Sequence, residues 1–313
     1  MLWEVYMNEY LIKESRYSAL ILDQGAILYS YSIDDKDIIL QFEDKSENER
    51  TKGYFSQIIG PFANRIKNGS YSVDGEVFQA ERNNGNNSLH SGPRNYGWHK
   101  WSLVAKSSSS VTLSLHSPEG FGFPGNQDAE VSYTISGDGA LAIHYSVISD
   151  RKCPVNLTNH AFFNLNSTGD IRDHILRMPS LHYIDVDSEL IPTEIKSVAG
   201  TDFDFTSPHK IGERRDGTYD HCFILDGDGE LSVTNGSLTL TMKTDLPAVQ
   251  LYTSGTLNQG MVGKGGSEIG PHMAFCLESE FYPDFPNRPD FRSCYLTPGV
   301  KYETETVFTL TEN

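Results

Sequence analysis

The alternation of apolar and polar residues is the feature that most limits the folds open to this chain. Residues 111–115, 141–147 and 238–242 place mainly apolar side chains on one face of an extended backbone and smaller or polar ones on the other. A period of two residues is typical of a strand with one buried face. The pattern therefore predicts β-strands in these stretches.

Turn-forming dipeptides separate the strand-like stretches. They are Asn68-Gly69, Asp74-Gly75, Asn84-Gly85, Asp138-Gly139, Asp226-Gly227 and Asn235-Gly236. Such pairs are preferred in tight hairpins. No segment carries a sustained 3.6-residue apolar stripe, and residues 43–52 form at most one short helix or a loop. The lack of helices excludes a Rossmann fold or an α/β barrel, so we predict an all-β fold, a large antiparallel sandwich or barrel.

Domain organisation follows from length and from the absence of linkers. A chain of 313 residues suggests about two domains, but large all-β folds are often single domains of this size. No Pro-rich, Ser-rich or like-charge tract divides the chain, and we interpret the glycine-rich residues 255–271 as a mobile loop. We therefore expect one β-sandwich domain over residues 1–313.

The charge balance limits the possible partners. The formal net charge is −17, and no basic cluster interrupts it. Nucleic acid binding needs concentrated lysine and arginine and is therefore not expected. A strongly anionic substrate is also disfavoured, so a small neutral molecule is the expected ligand. Nothing in the sequence sets an oligomeric state.

The cysteine spacing and the apolar segments indicate the compartment. The four cysteines are widely spaced and contain no Cys-x-x-Cys pair, so a structural zinc site is not expected. The first fifteen residues lack the pattern of a signal peptide, and no run of about 18 apolar residues could span a membrane. We expect no membrane association and a cytoplasmic location.

Residues 156–165, NLTNHAFFNL, place one histidine in an uncharged, strand-like run. On an extended backbone Asn156, Thr158, His160 and Phe162 share a face. A histidine among amides and hydroxyls can donate or accept a proton near neutral pH. A buried structural histidine is the alternative interpretation.

Other segments carry polar residues in strand-like surroundings. The candidate side chains are Asn64, Arg65, His90, Asp220, His221, Glu278 and Glu280. Most of these residues also have a simpler explanation. Arg65 could be an exposed surface cation, and His90 could be solvated in its Gly/Asn-rich loop. Asp220 could cap a turn. Glu278 is harder to explain in this way, because it follows five uncharged residues and an unpaired buried charge is costly.

Common motifs for metal, phosphate or serine catalysis are missing from the sequence. The ten histidines include no His-x-His pair and no His-Glu-x-x-His. The segment around Lys264 lacks P-loop spacing, and no Gly-x-Ser-x-Gly occurs. We therefore expect neither a metal nor an organic cofactor.

Taken in order, these segments resemble the aldose 1-epimerase (galactose mutarotase) family. The matching segments are ANRI at residues 63–66, Leu89-His90, NLTNHAFFNL at residues 156–165, Tyr219-Asp220-His221, LESEFYPD at residues 277–284 and Leu296-Thr-Pro-Gly299. NLTNH followed by FNL is specific, and the similarity extends from about Gly60 to Phe308. The resemblance implies a large β-sandwich of the galactose mutarotase type with a sugar site on its concave face.

The resemblance also implies a mechanism and roles for individual residues. Glu278 would take the proton of the anomeric hydroxyl, His160 would protonate the ring oxygen, and His90 would lie near that oxygen. The residues implied to bind sugar hydroxyls are Arg65, Asn64 and Asp220. The reference pKa values of glutamate and histidine, about 4.3 and about 6.5, allow a charged base and a protonated acid near neutrality. Phe162 or Phe281 could form an aromatic floor.

Three positions depart from the family pattern. Ser91 replaces the first glycine of Leu-His-Gly-Gly, Pro61 replaces the arginine of a Gly-Arg pair, and Glu280 replaces the glutamine of Leu-Glu-x-Gln. On a strand Glu278 and Glu280 share a face about 7 Å apart. If both are desolvated, their repulsion should raise one pKa and change the pH dependence or the sugar preference.

Three other functions remain compatible with the motifs. A glycoside hydrolase would use Glu278 with Asp220 or Glu280 as its carboxylate pair. A sugar-binding or sensor protein would keep the fold without turnover. An epimerase of sugar phosphates would need several clustered basic residues, and only Arg65 is evident in the motifs.

Overall fold

The computed structural model describes residues 7–51, 53–227 and 230–313. Its strands are β1 (Glu9–Glu14), β2 (Tyr17–Leu22), β3 (Leu28–Ile33), β4 (Lys36–Asp37), β5 (Ile58–Ile59), β6 (Arg65–Ile66), β7 (Ser70–Val73), β8 (Glu76–Gln79), β9 (Ser88–Leu89), β10 (Ser102–Lys106), β11 (Ser110–Ser117), β12 (Gln127–Ile135), β13 (Ala140–Ser149), β14 (Cys153–Pro154), β15 (Thr158–Asn159), β16 (Ile175–Arg177), β17 (His182–Val186), β18 (Pro192–Ser197), β19 (His209–Lys210), β20 (Asp220–Ile224), β21 (Leu231–Thr234), β22 (Leu238–Thr244), β23 (Ala248–Tyr252), β24 (Met261–Val262), β25 (Glu268–Ile269), β26 (Cys276–Glu280), β27 (Tyr295–Leu296) and β28 (Tyr302–Glu312). Short 3₁₀ turns lie at Lys67–Gly69, Gly92–Arg94, Tyr96–Trp98, Ile211–Glu213, Arg215–Gly217, Lys264–Gly266 and Phe285–Asn287.

The chain folds as a large antiparallel β-sandwich. A nine-stranded sheet has the order β10-β11-β12-β13-β28-β22-β21-β16-β19, and a five-stranded sheet has the order β18-β17-β20-β23-β26. A third sheet joins β1 to β4 in chain order. The predicted all-β class is confirmed, and within the described residues the α-helical structure is the single turn α1 (Glu47–Arg50). It lies inside the segment predicted to be a short helix or a loop, of which Lys52 is outside the described residues.

The predicted strands and turns are confirmed where alternation is strict. Residues 111–115, 141–147 and 238–242 lie inside β11, β13 and β22. Along β12, buried and more exposed residues alternate from end to end. Asp74-Gly75 joins the hairpin β7–β8, and Asn235-Gly236 lies between the paired strands β21 and β22.

The two faces of the five-stranded sheet have different roles. Leu251 and Leu277 are fully or almost fully buried and belong to the same hydrophobic cluster as the core residues of β12 and β13. The hydroxyl of Ser279 lies 2.7 Å from that of Thr306 in β28, which ties β26 to the large sheet. The residues that alternate with Leu251, Leu277 and Ser279 along their strands point to the other face and carry the polar side chains described below.

The run at residues 156–165 is not the continuous strand that its pattern suggests. Only Thr158 and Asn159 form a strand, β15, which pairs with β5, and the side chains of the whole run are buried. The His160 N–H donates to the Gln57 carbonyl, and the His160 carbonyl accepts from the Ser56 N–H. The run therefore threads between irregular segments, with both of its faces covered.

The glycine-rich residues 255–271 are more ordered than a mobile loop. Met261 and Val262 pair with Ile269 and Glu268 in a β24–β25 hairpin. The ammonium group of Lys264 at its tip donates to the carboxylate of Asp37 and to the carbonyl of Tyr29. This anchored hairpin closes one side of the cavity described next. Among the described residues, no helix has both the length and the apolar character needed to cross a membrane.

Candidate functional site

A cavity of about 360 Å³ opens beside the five-stranded sheet. The polar and charged side chains lining it include Asn64, Arg65, Asn84, His90, His160, Asp220, Gln250 and Glu278. Its size and its few convergent polar groups are typical of a small-molecule site. All six residues that the sequence singled out as catalytic or substrate-binding therefore meet in one place.

Strand pairing places three of these side chains. Asp220 begins β20, Gln250 lies in β23 and Glu278 lies in β26; Gln250 is directly opposite Glu278. Gln250 donates from Nε2 to Oδ1 of Asp220 at 2.6 Å. Because alternate residues of a strand share a face, register alone aims these side chains into the cavity.

Two left-handed turns place the groups on the opposite wall. Asn64 and His90 have φ values of 69° and 51°, a conformation that asparagine accepts more readily than most residues. The two turns are linked because the His90 N–H donates to the Asn64 carbonyl and the Asn64 N–H donates to His90 Nδ1, both at 3.1 Å. Arg65 follows Asn64 directly and lies 3.6 Å from the Asp220 carboxylate.

A histidine and a glutamate form the buried centre of the site. Nε2 of His160 lies 3.5 Å from Oε1 of Glu278, and their side chains are 7% and 3% exposed. The ring of His160 stacks on Phe162 with a centroid distance of 5.1 Å. The pair can pass a proton between them, or to and from a hydroxyl placed between them.

Burial shifts both pKa values of this pair away from their reference values. The pKa of Glu278 is raised well above its usual value by burial and by the charges of Glu280 and Asp220. Burial lowers the pKa of His160 to about 4, against the opposing effects of a hydrogen bond to its own carbonyl and of Asp220. Both shifts favour uncharged side chains, so a proton is favoured on Glu278 and disfavoured on His160, the reverse of the charged base and protonated acid expected from the reference values.

The second histidine is held in one protonation state. Because the Asn64 N–H donates to Nδ1 of His90, this nitrogen carries no proton, and the neutral ring presents an N–H at Nε2. Burial and the neighbouring charges of His160 and Arg65 lower the pKa of His90 well below its usual value. His90 is therefore a fixed hydrogen-bond donor.

The three groups lie close enough to be considered as metal ligands. One ligand atom from each of His90, His160 and Glu278 falls within 4.8 Å of the others. A metal-bound histidine normally donates its second ring N–H to an acceptor, whereas Nδ1 of His90 faces a donor. The donor pattern fits an uncharged hydrogen-bonding substrate better than a metal ion.

Glu280, the departure from the family pattern, lies beside the cavity and is buried. Asn64 donates from Nδ2 to Oε1 of Glu280 and to Oε1 of Gln250, both at 3.1 Å. Burial raises the pKa of Glu280 to about 8. The network Glu280–Asn64–Gln250–Asp220 therefore links this carboxyl group to the substrate-facing side chains.

The aromatic surroundings differ from the expected floor. Phe162 is fully buried behind His160 rather than in the cavity wall, and Phe281 is not among the lining residues. The aromatic residues lining the cavity are Tyr54, Phe55 and Tyr252. Tyr54 packs on the His90 ring with a centroid distance of 4.6 Å.

Gln250 was not identified from the sequence, although a signal was present. It is a lone amide in the apolar strand Ala248–Tyr252, where an uncompensated polar group would be costly. Tyr54 and residues 256–258, which also line the cavity, carry no comparable signal because they come from irregular loops.

Comparison with known proteins points to one family. Residues 8–309 match the family model described as aldose 1-epimerase. The chain is 37% identical over 270 residues to an aldose 1-epimerase of Escherichia coli K12, covering 80% of this chain and 78% of that protein. It is 34% identical over 307 residues to the galactose mutarotase of Homo sapiens, covering 92% and 89%.

Solved structures show the same architecture. An aldose epimerase homologue from C. elegans superposes with a TM-score of 0.94 at 29% identity, covering 98% of this chain and 99% of that one. A galactose 1-epimerase from Lactobacillus acidophilus superposes with a TM-score of 0.88 at 25% identity, covering 98% and 95%.

Proposed function

The chain belongs to the aldose 1-epimerase family, and from this premise we propose that it interconverts the α and β anomers of a free aldose, with Glu278 as general base and His160 as general acid. The observation that carries the proposal is the buried 3.5 Å contact between these two side chains in the wall of a polar cavity. The reaction is an isomerisation that needs only proton transfer.

The single proton of the pair is sufficient for the whole reaction. With the proton on His160, the Glu278 carboxylate takes the proton of the anomeric hydroxyl while Nε2 of His160 donates to the ring oxygen. The C1–O5 bond breaks, the aldehyde rotates about C1–C2, and closure on the other face reverses both transfers. Burial disfavours the charged forms in the empty site, so the zwitterionic pair forms when the anomeric hydroxyl contacts Glu278 and the ring oxygen contacts His160.

His160 rather than His90 is the proposed acid. Nε2 of His160 faces a proton source in Glu278, whereas Nδ1 of His90 is blocked by a backbone donor. A histidine that cannot become doubly protonated would turn into an anion if it gave up its one ring proton, so it is a poor acid. His90 instead stabilises charge on the ring oxygen by hydrogen bonding, as a fixed N–H donor does.

A neutral free sugar fits the charge of the cavity. Among the described residues lining it, Arg65 is the only one that is always cationic, and Asp220 lies beside it. Asn64, Gln250 and Asp220 present the donors and acceptors that fix hydroxyl groups. A phosphorylated sugar would meet a single, already paired cation, so we propose a neutral galactose- or glucose-type monosaccharide.

The alternative functions fit these contacts less well. A hydrolase would need a second carboxyl group free to act across the sugar, but Asn64 engages Glu280 and Gln250 engages Asp220. A binding protein would have no use for the buried Glu278–His160 pair, whose desolvation is costly.

We also propose that the chain forms one domain, because a continuous hydrophobic cluster joins its sheets. A cytoplasmic location is supported by four unpaired cysteines.

Polarimetry of freshly dissolved α-galactose and α-glucose tests the proposed activity. We expect the protein to accelerate the decay of optical rotation beyond the spontaneous rate, with no new reducing ends formed. Release of new reducing ends from an oligosaccharide would indicate a hydrolase. Stabilisation by sugars without acceleration would indicate a binding protein.

The pH dependence of this reaction should report the shifted pKa values. Turnover requires one proton on the pair, so it should fall below about pH 4, where His160 and Glu278 are both protonated. It should fall again once the pH exceeds the raised pKa of Glu278, where the pair loses its proton. Activity limited to the interval between the reference values of glutamate and histidine would contradict this assignment.

Replacing Glu280 with Gln should move the alkaline limb. Because the Glu280 charge raises the pKa of Glu278, its removal should lower that pKa and shift the alkaline limb to lower pH. The exposed Glu268→Gln is a matched control that should leave the profile unchanged. An unaltered profile in Glu280→Gln would exclude this coupling.

A further inference from the structure

One strand contacts both ring nitrogens of His160. In β26, Oε1 of Glu278 lies 3.5 Å from Nε2, and Sγ of Cys276 lies 3.5 Å from Nδ1. Residues two apart on a strand point to the same side with a spacing of about 7 Å. The imidazole therefore bridges two neighbouring side chains of β26.

The stacking contacts of the ring fix its plane but not which of the two flipped orientations it takes. Phe162 stacks against it with an interplanar angle of 20°, and Tyr54 with an angle of 27°. A half-turn about the Cβ–Cγ bond would keep both stacking contacts but aim carbon atoms at Glu278. Only polar partners at the ring edge distinguish the two orientations, and Cys276 is the side chain at the Nδ1 edge.

We propose that Cys276 is a positioning residue, which holds Nδ1 of His160 so that Nε2 faces Glu278 and the sugar. This role rests on the proposed function, because it serves the proton transfer assigned to His160. The thiol is completely buried, and burial raises its pKa well above the usual value, so it stays uncharged. An uncharged sulfur is a weak hydrogen-bond partner that orients the ring without fixing a positive charge on it.

Other titratable and charged groups around His160 belong to several elements. They are Glu278 in β26, His90 after β9, Tyr54 before β5, Tyr252 in β23, Asp220 in β20 and Arg65 in β6. The carbonyl of His160 itself also hydrogen-bonds the ring and raises its pKa. Within the described part of the chain, the side chain that reaches Nδ1 is that of Cys276, so its substitution leaves this backbone contact in place and changes only the side-chain contact. Because residues two apart in β26 point to the same side, the thiol that reaches Nδ1 stands two positions before Glu278, which reaches Nε2.

Nuclear magnetic resonance of ¹⁵N-histidine-labelled protein tests this role without relying on activity. The His160 signals are assigned by their loss in His160→Gln, and the tautomer at pH 7 is measured in the wild type, Cys276→Ala and Cys276→Ser. We expect the share of His160 protonated at Nδ1 to fall in Cys276→Ala, and to be kept or raised in Cys276→Ser, whose oxygen is a stronger acceptor. The acid limb of the pH–rate profile should move down in the alanine variant and up by about half a pH unit in the serine variant.

Cys153→Ala is the matched control, because Cys153 is equally buried but contacts Gln127 rather than His160. It should leave the tautomer unchanged. Equal tautomer populations in the wild type and both Cys276 variants would overturn the proposal, and so would a shift in the same direction in both, which would indicate altered packing. If the wild type shows no anomer interconversion, the proposed function fails, and the resonance data still decide whether Cys276 orients the ring.

Discussion

Replacing Glu278 with Gln should reduce turnover by about 10²–10⁴-fold, the range expected for removal of a general base. The amide has the shape of the acid but cannot accept the proton of the anomeric hydroxyl. Because burial, Glu280 and Asp220 raise the pKa of Glu278 and so favour its uncharged form, a neutral amide should be tolerated in the fold. The measurement is the polarimetric rate of α-galactose interconversion over a range of sugar concentrations.

The substrate affinity separates this effect from damage to the cavity. The amide of the Glu278→Gln variant keeps a hydrogen-bonding group opposite Gln250, so KM should change far less than kcat. The surface variant Glu268→Gln should keep wild-type kinetics. Turnover within tenfold of the wild type in Glu278→Gln would remove Glu278 from the role of base.

The fold class could be predicted from the sequence because a strand with one buried face requires apolar and polar residues to alternate every two positions. Where one face of a strand is buried and the other is more exposed, as in β12, the pattern is visible in the residues themselves. The pattern failed to predict the structure of residues 156–165, because both faces of that run are covered. Without one exposed face, alternation cannot distinguish a strand from a buried irregular segment. The importance of this run was visible from its lone histidine and from its NLTNH motif.

The motifs predicted six residues that line the cavity, whereas the geometry of the cavity could not be predicted from them. The pairing of Gln250 with Glu278 depends on strand register, and the link between Asn64 and His90 depends on two left-handed turns. Neither is encoded at a fixed sequence spacing. The pKa values depend on burial by distant segments, which explains why reference values misplace the proton of the Glu278–His160 pair.

The contrast between the two histidines gives the second large effect. His160→Gln should lower kcat by about 10²–10⁴-fold, because an amide cannot transfer a proton to the ring oxygen. His90→Gln should lower it by only about tenfold, the cost of weakening one hydrogen bond, because the amide still offers an N–H. Both variants are compared with the wild type by polarimetry at saturating sugar.

The pH profiles make the comparison independent of absolute rates. The acid limb near pH 4 reflects the titration of His160, so the residual activity of His160→Gln should lack it. In His90→Gln the limb should remain, because His90 does not change protonation in the cycle when the Asn64 N–H occupies its Nδ1. A loss in His90→Gln equal to that in His160→Gln, together with disappearance of the limb, would show that His90 carries the proton and that the Asn64 contact breaks during turnover.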